Sequence, residues 1–313
     1  MAFLHQQPAL CLGADIAKHS IVISDGVHAA RTITNGRRAI RAFLKSCGAD
    51  LIVCEPTGGH EQLLLEECLR ADIPVHRVDT LKLKAFIRSY GTLGKSDAID
   101  AAGLALYGRE RFARLPLWGA PEPHVERLKA LVRRRSELLA LKVAEQNRAK
   151  APAAGELAAS FKAMLAVITR QIASVDAAIA KLAAESAELR ARIAICVAMA
   201  GIGMRTAAAL LAEMPELGTM TRRQSGSLAG LAPHPNESGL TKGYRKTRGG
   251  RPGIGTILFM PALRAAAGQG EFAAFYKRLV TNGKKPMVAI AAVMRKMVVT
   301  LNARLRDAAI PQS

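Results

Sequence analysis

The chain has few aromatic residues and few acids. Aromatic side chains make up 4% of its 313 residues, so base stacking is expected to be a minor part of any nucleic-acid contact. Lysine and arginine number 45 against 25 aspartates and glutamates, which gives a formal net charge of +20 at pH 7. A surface this basic indicates a polyanionic partner, either nucleic acid or an anionic membrane.

Paired cysteines and long apolar runs are also missing. The cysteines form no CxxC pair, so a zinc site is not expected, and most lie in apolar runs, as reduced core thiols of a cytosolic protein do. No apolar run is judged long enough to span a bilayer, and the start of the chain lacks a signal-peptide pattern. We therefore expect nucleic acid as the partner, and no membrane. The five cysteines are Cys11, Cys47, Cys54, Cys68 and Cys196.

Half of the residues are apolar, and the abundant alanine and leucine favour helix. The first 118 residues alternate strand and helix signals, which predicts an α/β domain with a central sheet. Residues 9–16 and 20–26 read as a hairpin of two strands. Further strands are predicted at 49–56 and 73–79, and helices at 37–48, 59–71, 80–91 and from Ser96 onward.

Residues 119–190 predict two long helices joined by the breaker at 151–155, that is, a helical coiled-coil hairpin. Apolar residues of the second helix repeat at alternating spacings of four and three, which is a heptad seam. The seam can close inside the hairpin or against a second chain, and the pattern alone does not choose between them. Its residues are Phe161, Leu165, Ile168, Ile172, Val175, Ile179 and Leu182.

Residues 191–313 predict a third, mainly helical domain with a loop-rich stretch at 221–255. The turn at Gly201 and Gly203 precedes an apolar helix, as in a helix-hairpin-helix turn, whose backbone N–H groups can meet a phosphate. A basic cluster in the loop has two interpretations, a solvated charged loop or a phosphate clamp. Its members are Lys242, Arg245, Lys246, Arg248 and Arg251.

Four acids of the first domain occupy suggestive positions. Asp15 ends the first apolar strand and Glu55 ends the later one, while Asp97 and Asp100 open a helix three residues apart. If the two strands are parallel neighbours, their ends meet at one edge of the sheet, and the helix can add its acids there. Four carboxylates at one edge favour a divalent cation such as Mg²⁺ or Mn²⁺. The alternative for Asp97 and Asp100 is a plain helix start capped by Ser96.

These motifs together resemble the DEDD-type transposases of bacterial insertion sequences. "CEPTGG" (54–59) and "GKSDAIDA" (94–101) are similar to the catalytic stretches of that family. In the last third, "LAGLAPHPNESG" (228–239), "RGGR" (248–251) and "AAVMRKM" (291–297) are similar to the C-terminal transposase domain of the insertion-sequence group one-eleven-eleven, which is related to group one-ten. The resemblance covers nearly the whole chain in the right order.

The resemblance implies an RNase H-like (RuvC-like) catalytic domain at 1–118, the helical hairpin at 119–190, and a transposase domain at 191–313. It also implies that four acids hold Mg²⁺ and that Ser238 attacks DNA to form a covalent phosphoserine link. The family uses a structured "bridge" RNA that pairs with donor and target DNA, and its dimers pair into tetramers. A bacterial cytoplasmic, nucleoid-associated enzyme is therefore expected. The four acids are Asp15, Glu55, Asp97 and Asp100.

The sequence is also compatible with two other functions. A RuvC-like junction nuclease would use metal-activated water, and Ser238 would then be an ordinary turn serine. A non-catalytic nucleic-acid-binding protein would use the acids only structurally. His234, four residues before Ser238, is either a general base or, more simply, a surface loop histidine.

Overall fold

The computed structural model describes residues 3–91, 94, 96–238, 241–242 and 245–309, and only the backbone at 153–154, 237–238 and 241–242. The chain forms two compact units, Met1–Pro121 and Glu122–Ser313. The division into three domains made from the sequence stays a prediction.

The N-terminal unit is built on one five-stranded sheet with the strand order β3-β2-β1-β4-β5. β1 is antiparallel to β2 and parallel to β4, so the sheet is mixed. In chain order the elements are β1 (Cys11–Ile16), β2 (Ser20–Ser24), β3 (Arg31–Thr34), α1 (Arg37–Leu44), β4 (Leu51–Cys54), α2 (Gln62–Arg70), β5 (Val75–Arg77), α3 (Thr80–Ser89) and α4 (Asp97–Arg111).

Both faces of the sheet are covered, which is why β1 and β4 read as nearly continuous apolar runs. Alternate residues of these strands enter two separate cores. Leu12 and Ile52 pack on the side of α1 and α2, in a core that includes Ile40 and Leu64. Leu51 packs on the other side, in a core formed with α3 and α4. The α/β organisation expected from the sequence is confirmed.

Glycines let α4 lie unusually close to the sheet. A Cβ placed on Gly13 of β1 would stand 1.9 Å from the Ala101 carbonyl oxygen, and one on Gly108 of α4 would stand 2.4 Å from Cys11 Sγ. A glycine inside a helix costs about 1 kcal/mol relative to alanine. Here the missing side chains allow backbone-to-backbone packing of helix on strand.

The predicted hairpin of the first two strands is confirmed, with Gly13 opposite Ser24. One strand was missed, because β3 is short and lies exposed at the edge of the sheet, where no apolar run marks it. Its sequence "RTIT" carries the only local signal, an Ile between two β-branched threonines.

The C-terminal unit is mainly helical. Its elements are α5 (Pro123–Arg148), α6 (Ala158–Glu185), α7 (Ala187–Val197), α8 (Met204–Glu213), α9 (Arg222–Leu228), β6 (Pro233–His234), β7 (Glu237–Ser238), β8 (Thr241–Lys242), β9 (Lys246–Thr247), α10 (Ile254–Ala267), α11 (Glu271–Thr281) and α12 (Pro286–Ala309). One core joins residues of α5 and α6 to α7, α8, α10 and α12.

α5 and α6 form an antiparallel hairpin. Arg135 Nε donates to Asp176 Oδ1 at 2.5 Å, and Leu138 packs with Ile168 and Ile172 farther from that core. At the other end Ile179 enters the core that the hairpin shares with the C-terminal helices. Part of the heptad seam is therefore covered inside this chain. Its use between two chains stays a prediction.

Two helices of the C-terminal unit correct the expectation that no segment is long and apolar enough to span a membrane. Gly155–Glu185 and Pro286–Ala309 both reach that length and mean hydropathy. The sequence survey missed them because charged residues interrupt their apolar runs. In α12 the apolar residues, Val293 and Met297 among them, form the protein core. In α6 a few apolar residues, Ile168 and Ile172 among them, pack against Leu138 of α5, while most of its apolar stretch is exposed. One or two such helices are weak evidence of a membrane segment.

The five cysteines are free thiols, as the sequence predicted. Four are buried, and Cys47 is half-buried. Burial raises the pKa of Cys11 and Cys68 to about 12, so neither thiol is activated at neutral pH.

Candidate active site

Two acids lie at the carboxyl ends of neighbouring parallel strands, at the same edge of the sheet. In the register of β1 and β4, Ala14 lies opposite Cys54. Asp15 is the next residue on one strand, and Glu55 follows directly on the other. Neighbouring strands lie about 4.8 Å apart, so these two half-buried acids stand side by side. The sequence predicted that these acids would meet if their strands were parallel neighbours. β1 and β4 are paired in parallel, so that condition is met.

Both acids lie on the face of the sheet that α4 covers. Side chains two residues apart on a strand share a face, so Asp15 goes with Gly13 and Glu55 goes with Val53. Gly13 contacts α4 directly, and Val53 packs in the same core as Leu104 of that helix. The site can therefore be completed from α4 and not from the opposite face.

α4 runs antiparallel to β1. Its early residue Ala101 lies over Gly13, and its later residue Gly108 lies over Cys11, two positions earlier on the strand. The first turn of α4 is thus directed toward the carboxyl end of β1, where Asp15 lies.

That first turn carries the other two acids. Asp97 is exposed, Asp100 is half-buried, and both are within the first turn of the helix. Ser96 is the N-cap, and its hydroxyl oxygen accepts from the Ile99 N–H at 3.3 Å. The helix-start interpretation is therefore confirmed, and carboxylates in that turn are favoured by the helix dipole. The same two acids can start the helix and also bind a metal ion. Their metal-binding role stays a prediction.

Carboxylate oxygens are the donors that Mg²⁺ and Mn²⁺ accept, so the four acids fit such an ion by their chemistry. Within the described part of the chain, no group of three or more His, Cys, Asp or Glu side chains is arranged to hold a metal ion. A metal site formed by the four acids is therefore supported by their position at one edge of the sheet and by the chemistry of their oxygen atoms.

A fifth acid organises the loop that follows Glu55. Glu61 is 3% exposed, and its Oε2 accepts from the N–H groups of Thr57 at 3.0 Å and Gly59 at 2.8 Å. The Thr57 hydroxyl donates to the same oxygen at 3.2 Å. Arg77 Nη1, from the end of β5, lies 3.4 Å from Oε1. Glu61 therefore ties the loop after β4 to the neighbouring strand end.

Ionised Glu61 is the form that this loop requires. Burial opposes its charge, but backbone N–H donors and the Thr57 hydroxyl outweigh that cost and hold the pKa of Glu61 below its usual value. Glu61 was not among the residues predicted from the sequence. The available signal was an acid two residues after the Gly58-Gly59 turn, where open backbone N–H groups need an acceptor.

The predicted nucleophile lies on a short β-ladder of the C-terminal unit. His234 pairs with Lys246 in the β6–β9 ladder. Farther along the same loop, the backbone of Ser238 in β7 pairs with Thr241 in β8. The side chains of Ser238 and Lys242 lie outside the described residues, so their parts in a site stay predictions.

Glycines bring together the stretches "AGL" (229–231) and "RGGR" (248–251), which lie before β6 and after β9. The segment between these two stretches, which contains Ser238, is called the serine loop. A Cβ on Gly230 would lie 2.4 Å from the Gly249 carbonyl oxygen, and one on Gly250 would lie 2.2 Å from the Gly230 nitrogen. All three glycines have positive φ. The Arg251 N–H donates to the Leu228 carbonyl at 2.7 Å. The "AGL" and "RGGR" stretches thus form one backbone-to-backbone contact that fixes both ends of the serine loop.

Arg251 is engaged within the fold. Its guanidinium makes a bidentate pair with Glu216, at 2.8 and 2.5 Å, and donates to the Glu213 carbonyl at 2.6 Å. Those contacts anchor the loop and use much of its donor capacity. The other described cations of the predicted cluster, all exposed, are Arg245, Lys246 and Arg248.

The two glycines of the predicted phosphate-binding turn differ in what they do. Gly201 has a φ of +86°, and a Cβ there would lie 2.4 Å from the Pro261 carbonyl oxygen, so packing alone requires glycine. Gly203 is the N-cap of α8, and nothing lies within 4 Å of a Cβ built on it. The start of α8 is therefore open beside Gly203.

Two family models match the chain. The DEDD transposase model of the IS110 type matches residues 12–152, and the model described as the transposase IS116/IS110/IS902 family matches residues 195–277.

The chain belongs to the IS110 family of transposases.

Two curated relatives, each called a pilin gene-inverting protein, resemble this transposase along its length. The one from Moraxella lacunata and the one from Moraxella bovis are each 27% identical to it over 314 residues, with 95% of both chains covered. Similarity to gene-inverting proteins agrees with a DNA transposase or recombinase.

The two regions matched by the family models contain the acids of the N-terminal unit and the β-ladder that carries Ser238. The first contains all four strand-edge and helix acids together with Glu61. The second contains the serine ladder and the glycine contacts at its base. The DEDD type implies dependence on a divalent metal, and a transposase implies DNA as a partner.

Proposed function

We propose that this transposase cuts and rejoins DNA with a divalent ion, Mg²⁺ or Mn²⁺, held by four acids, and with Ser238 as the nucleophile. The acids are Asp15, Glu55, Asp97 and Asp100. We further propose that the N-terminal unit is RuvC-like, that is, RNase H-like, and that the enzyme works in the bacterial cytoplasm at the nucleoid.

The observation that carries the proposal is the convergence of three elements at one sheet edge. The parallel register of β1 and β4 brings Asp15 and Glu55 together. The contact at Gly13 orients α4 so that its first turn, with Asp97 and Asp100, approaches the same edge. When bound there, a divalent ion would neutralise charge on the phosphodiester that reacts. The mixed sheet, with acids at the carboxyl ends of its parallel strands β1 and β4, supports the RuvC-like assignment.

The serine step conserves the number of ester bonds. The Ser238 oxygen attacks phosphorus and forms a phosphoserine ester, while the bond to one deoxyribose oxygen breaks and that oxygen takes up the proton. A second DNA hydroxyl can reverse the step on a new strand, so rejoining needs no external energy source. The glycine contacts between Gly230 and Gly250 support this role, because they hold the base of the serine loop in one arrangement.

A guide RNA and an oligomer complete the proposal. The excess of cations and the scarcity of aromatic residues suit a protein that holds nucleic-acid backbones while RNA pairing reads the sequence. We propose backbone contacts at Gly201, Gly203, Lys242, Arg245, Lys246, Arg248 and Arg251. The α5–α6 hairpin, part of whose apolar surface is exposed at Leu141 and Val143, supports a dimer that can pair into a tetramer.

The test is a search for a covalent adduct. Purified protein, the RNA transcribed from its flanking DNA, and labelled donor DNA are mixed with Mg²⁺ and then separated under denaturing conditions. Ser238→Ala and Asp97→Asn should each abolish the adduct, the first by removing the nucleophile and the second by removing one carboxylate charge. Ser227→Ala and Asp72→Asn, two exposed positions, serve as matched controls and should retain it.

The outcomes separate the alternatives. Strand cleavage without an adduct, unchanged by Ser238→Ala, would replace the serine mechanism with a water-using junction nuclease. Activity that survives both Asp97→Asn and Glu55→Gln would show that the acids are structural, and would overturn the metal set.

A further inference from the structure

A second cationic surface lies on the N-terminal unit, on the side of the sheet opposite α4. It is formed by exposed side chains of α1, by the residue that caps the end of α1 and by the last residue of α2. The apolar side of α1, with Ile40 and Phe43, is buried in the core below. We name this surface the basic face; its residues are Arg37, Arg38, Arg41, Lys45 and Arg70.

One buried carboxylate holds three of these arginines. Glu67 of α2 is 2% exposed. Arg41 Nε donates to its Oε2 at 2.6 Å, Arg37 Nη1 lies 3.4 Å from Oε1, and Arg70 Nη1 donates to Oε1. The Arg41 guanidinium and then the other two cations hold the pKa of Glu67 below its usual value. Arg37 also pairs with the more exposed Glu66 at 3.5 Å.

This network organises the cations without neutralising the surface. Five cations stand against Glu66 and Glu67, and the three tethered arginine side chains remain about half exposed, at 48%, 52% and 51%. Each guanidinium has five N–H donors, of which Glu67 uses only some. The outward donors are therefore held in place in advance, which lowers the entropy cost of binding an anion.

The surface is concave between the cations. Two shallow cavities of about 430 and 500 Å³ share Arg41 and Lys45 among their lining residues. Among the described residues that line them, none is aromatic, so the basic face has hydrogen-bond donors and charge but no platform for a base. That chemistry recognises phosphate groups and carries no sequence preference.

The basic face begins near the edge where the acids lie. Just before α1, Asn35 Nδ2 donates to the Ala17 carbonyl after β1 and to the His60 carbonyl in the loop after Glu55. From there the positions 37, 41 and 45 run down one side of α1 over about 12 Å. Duplex DNA carries about seven phosphate charges over that length.

We propose that the basic face binds the phosphate backbone of duplex DNA, as a sequence-independent contact separate from the reaction site. DNA is the partner that the family establishes, and the inference does not depend on the four acids or on Ser238. Its function would be to hold a segment of donor or target DNA beyond the strands that react.

The test changes the two cations of the basic face that are not tied to Glu66 or Glu67. Arg38 and Lys45 are exposed and take part in none of the ion pairs described for this unit, so Arg38→Glu with Lys45→Glu should leave the Glu67 network intact. Binding of the full-length protein to a random-sequence duplex is measured by fluorescence anisotropy over a range of salt concentrations. Affinity should fall by about tenfold or more near 0.1 M salt, and the log–log salt slope should shrink by about 1.8, about 0.9 for each lost phosphate contact.

The control makes the same change of charge elsewhere. Arg190→Glu with Arg304→Glu alters two exposed cations of the C-terminal unit and should lower affinity far less. The neutral pair Arg38→Gln with Lys45→Gln should give an intermediate loss, and circular dichroism verifies folding. If the two double Glu variants lose affinity for the duplex equally, the proposal is overturned, because the loss would then come from the change in net charge alone. Loss of binding to the guide RNA with duplex binding unchanged would overturn it as well.

Discussion

Substituting Gly13 by alanine tests the contact that positions the candidate active site. The new methyl carbon would stand 1.9 Å from the Ala101 carbonyl oxygen, 2.6 Å from the Ala105 nitrogen and 2.7 Å from Leu104 Cβ. Two of these neighbours are helix backbone, which cannot rotate away as a side chain can. An ordinary contact is 3.4 Å or more, so α4 has to move away by about 1.5 Å.

That displacement has two measurable costs. Overpacking a core typically costs 1–3 kcal/mol, and because backbone atoms are involved we expect a loss of about 3 kcal/mol in the free energy of unfolding. The same movement carries the first turn of α4, with Asp97 and Asp100, away from Asp15. A displacement of about 1 Å at reacting groups can lower a rate by about 10²-fold.

The assay combines urea unfolding of the full chain with Mg²⁺-dependent strand cleavage. Gly119→Ala is the matched control in the same unit, since nothing lies within 4 Å of its added Cβ, and it should change neither quantity. A folded Gly13→Ala protein with unchanged stability would show that α4 does not lie on β1 as described. Lowered stability with full cleavage activity would refute the link between this contact and the site.

Two further predictions concern charged side chains inside the fold. Because the pKa of Glu61 is depressed, its stabilising effect is fully present above the ordinary glutamate value of 4.5 and is lost as pH falls through the lower folded pKa. Glu61→Gln should therefore reduce the loss of stability between about pH 6 and about pH 3 in urea titrations. A dependence of stability on pH identical to that of the wild type would contradict this role. Arg251→Lys keeps the charge but loses the bidentate pair with Glu216. The free energy of unfolding should therefore fall by about 2 kcal/mol, measured by thermal unfolding. A melting temperature equal to that of the wild type would contradict this.

Local patterns in the sequence predicted most of the elements. Apolar runs and helical periodicity depend on neighbours within a few residues, so they indicated β1, β4 and the long helices without knowledge of the fold. The cap at Ser96 was also a local matter, since its partner, the Ile99 N–H, is three residues away. β3 escaped because an exposed edge strand has no apolar run to mark it.

The candidate site was predictable only in part. The acids after apolar runs and the family motifs named Asp15 and Glu55, but their proximity depends on the parallel pairing of β1 with β4, forty residues later in the chain. The buried roles of Glu61 and Glu67 carried almost no signal, because a glutamate early or late in a helix looks the same whether it is solvated or enclosed by arginines. Burial is decided by what packs on the helix from elsewhere.

The sequence by itself thus determined the kinds of elements, the basic character of the protein and the chemical groups available for catalysis, because these depend on composition and short-range spacing. Tertiary structure alone decided which strands are neighbours, how closely α4 lies on β1 and which charges are paired inside the fold, as Arg251 is with Glu216. Those features arise from contacts between residues far apart in the chain. Their energies depend on the packing of the whole unit and not on any local pattern.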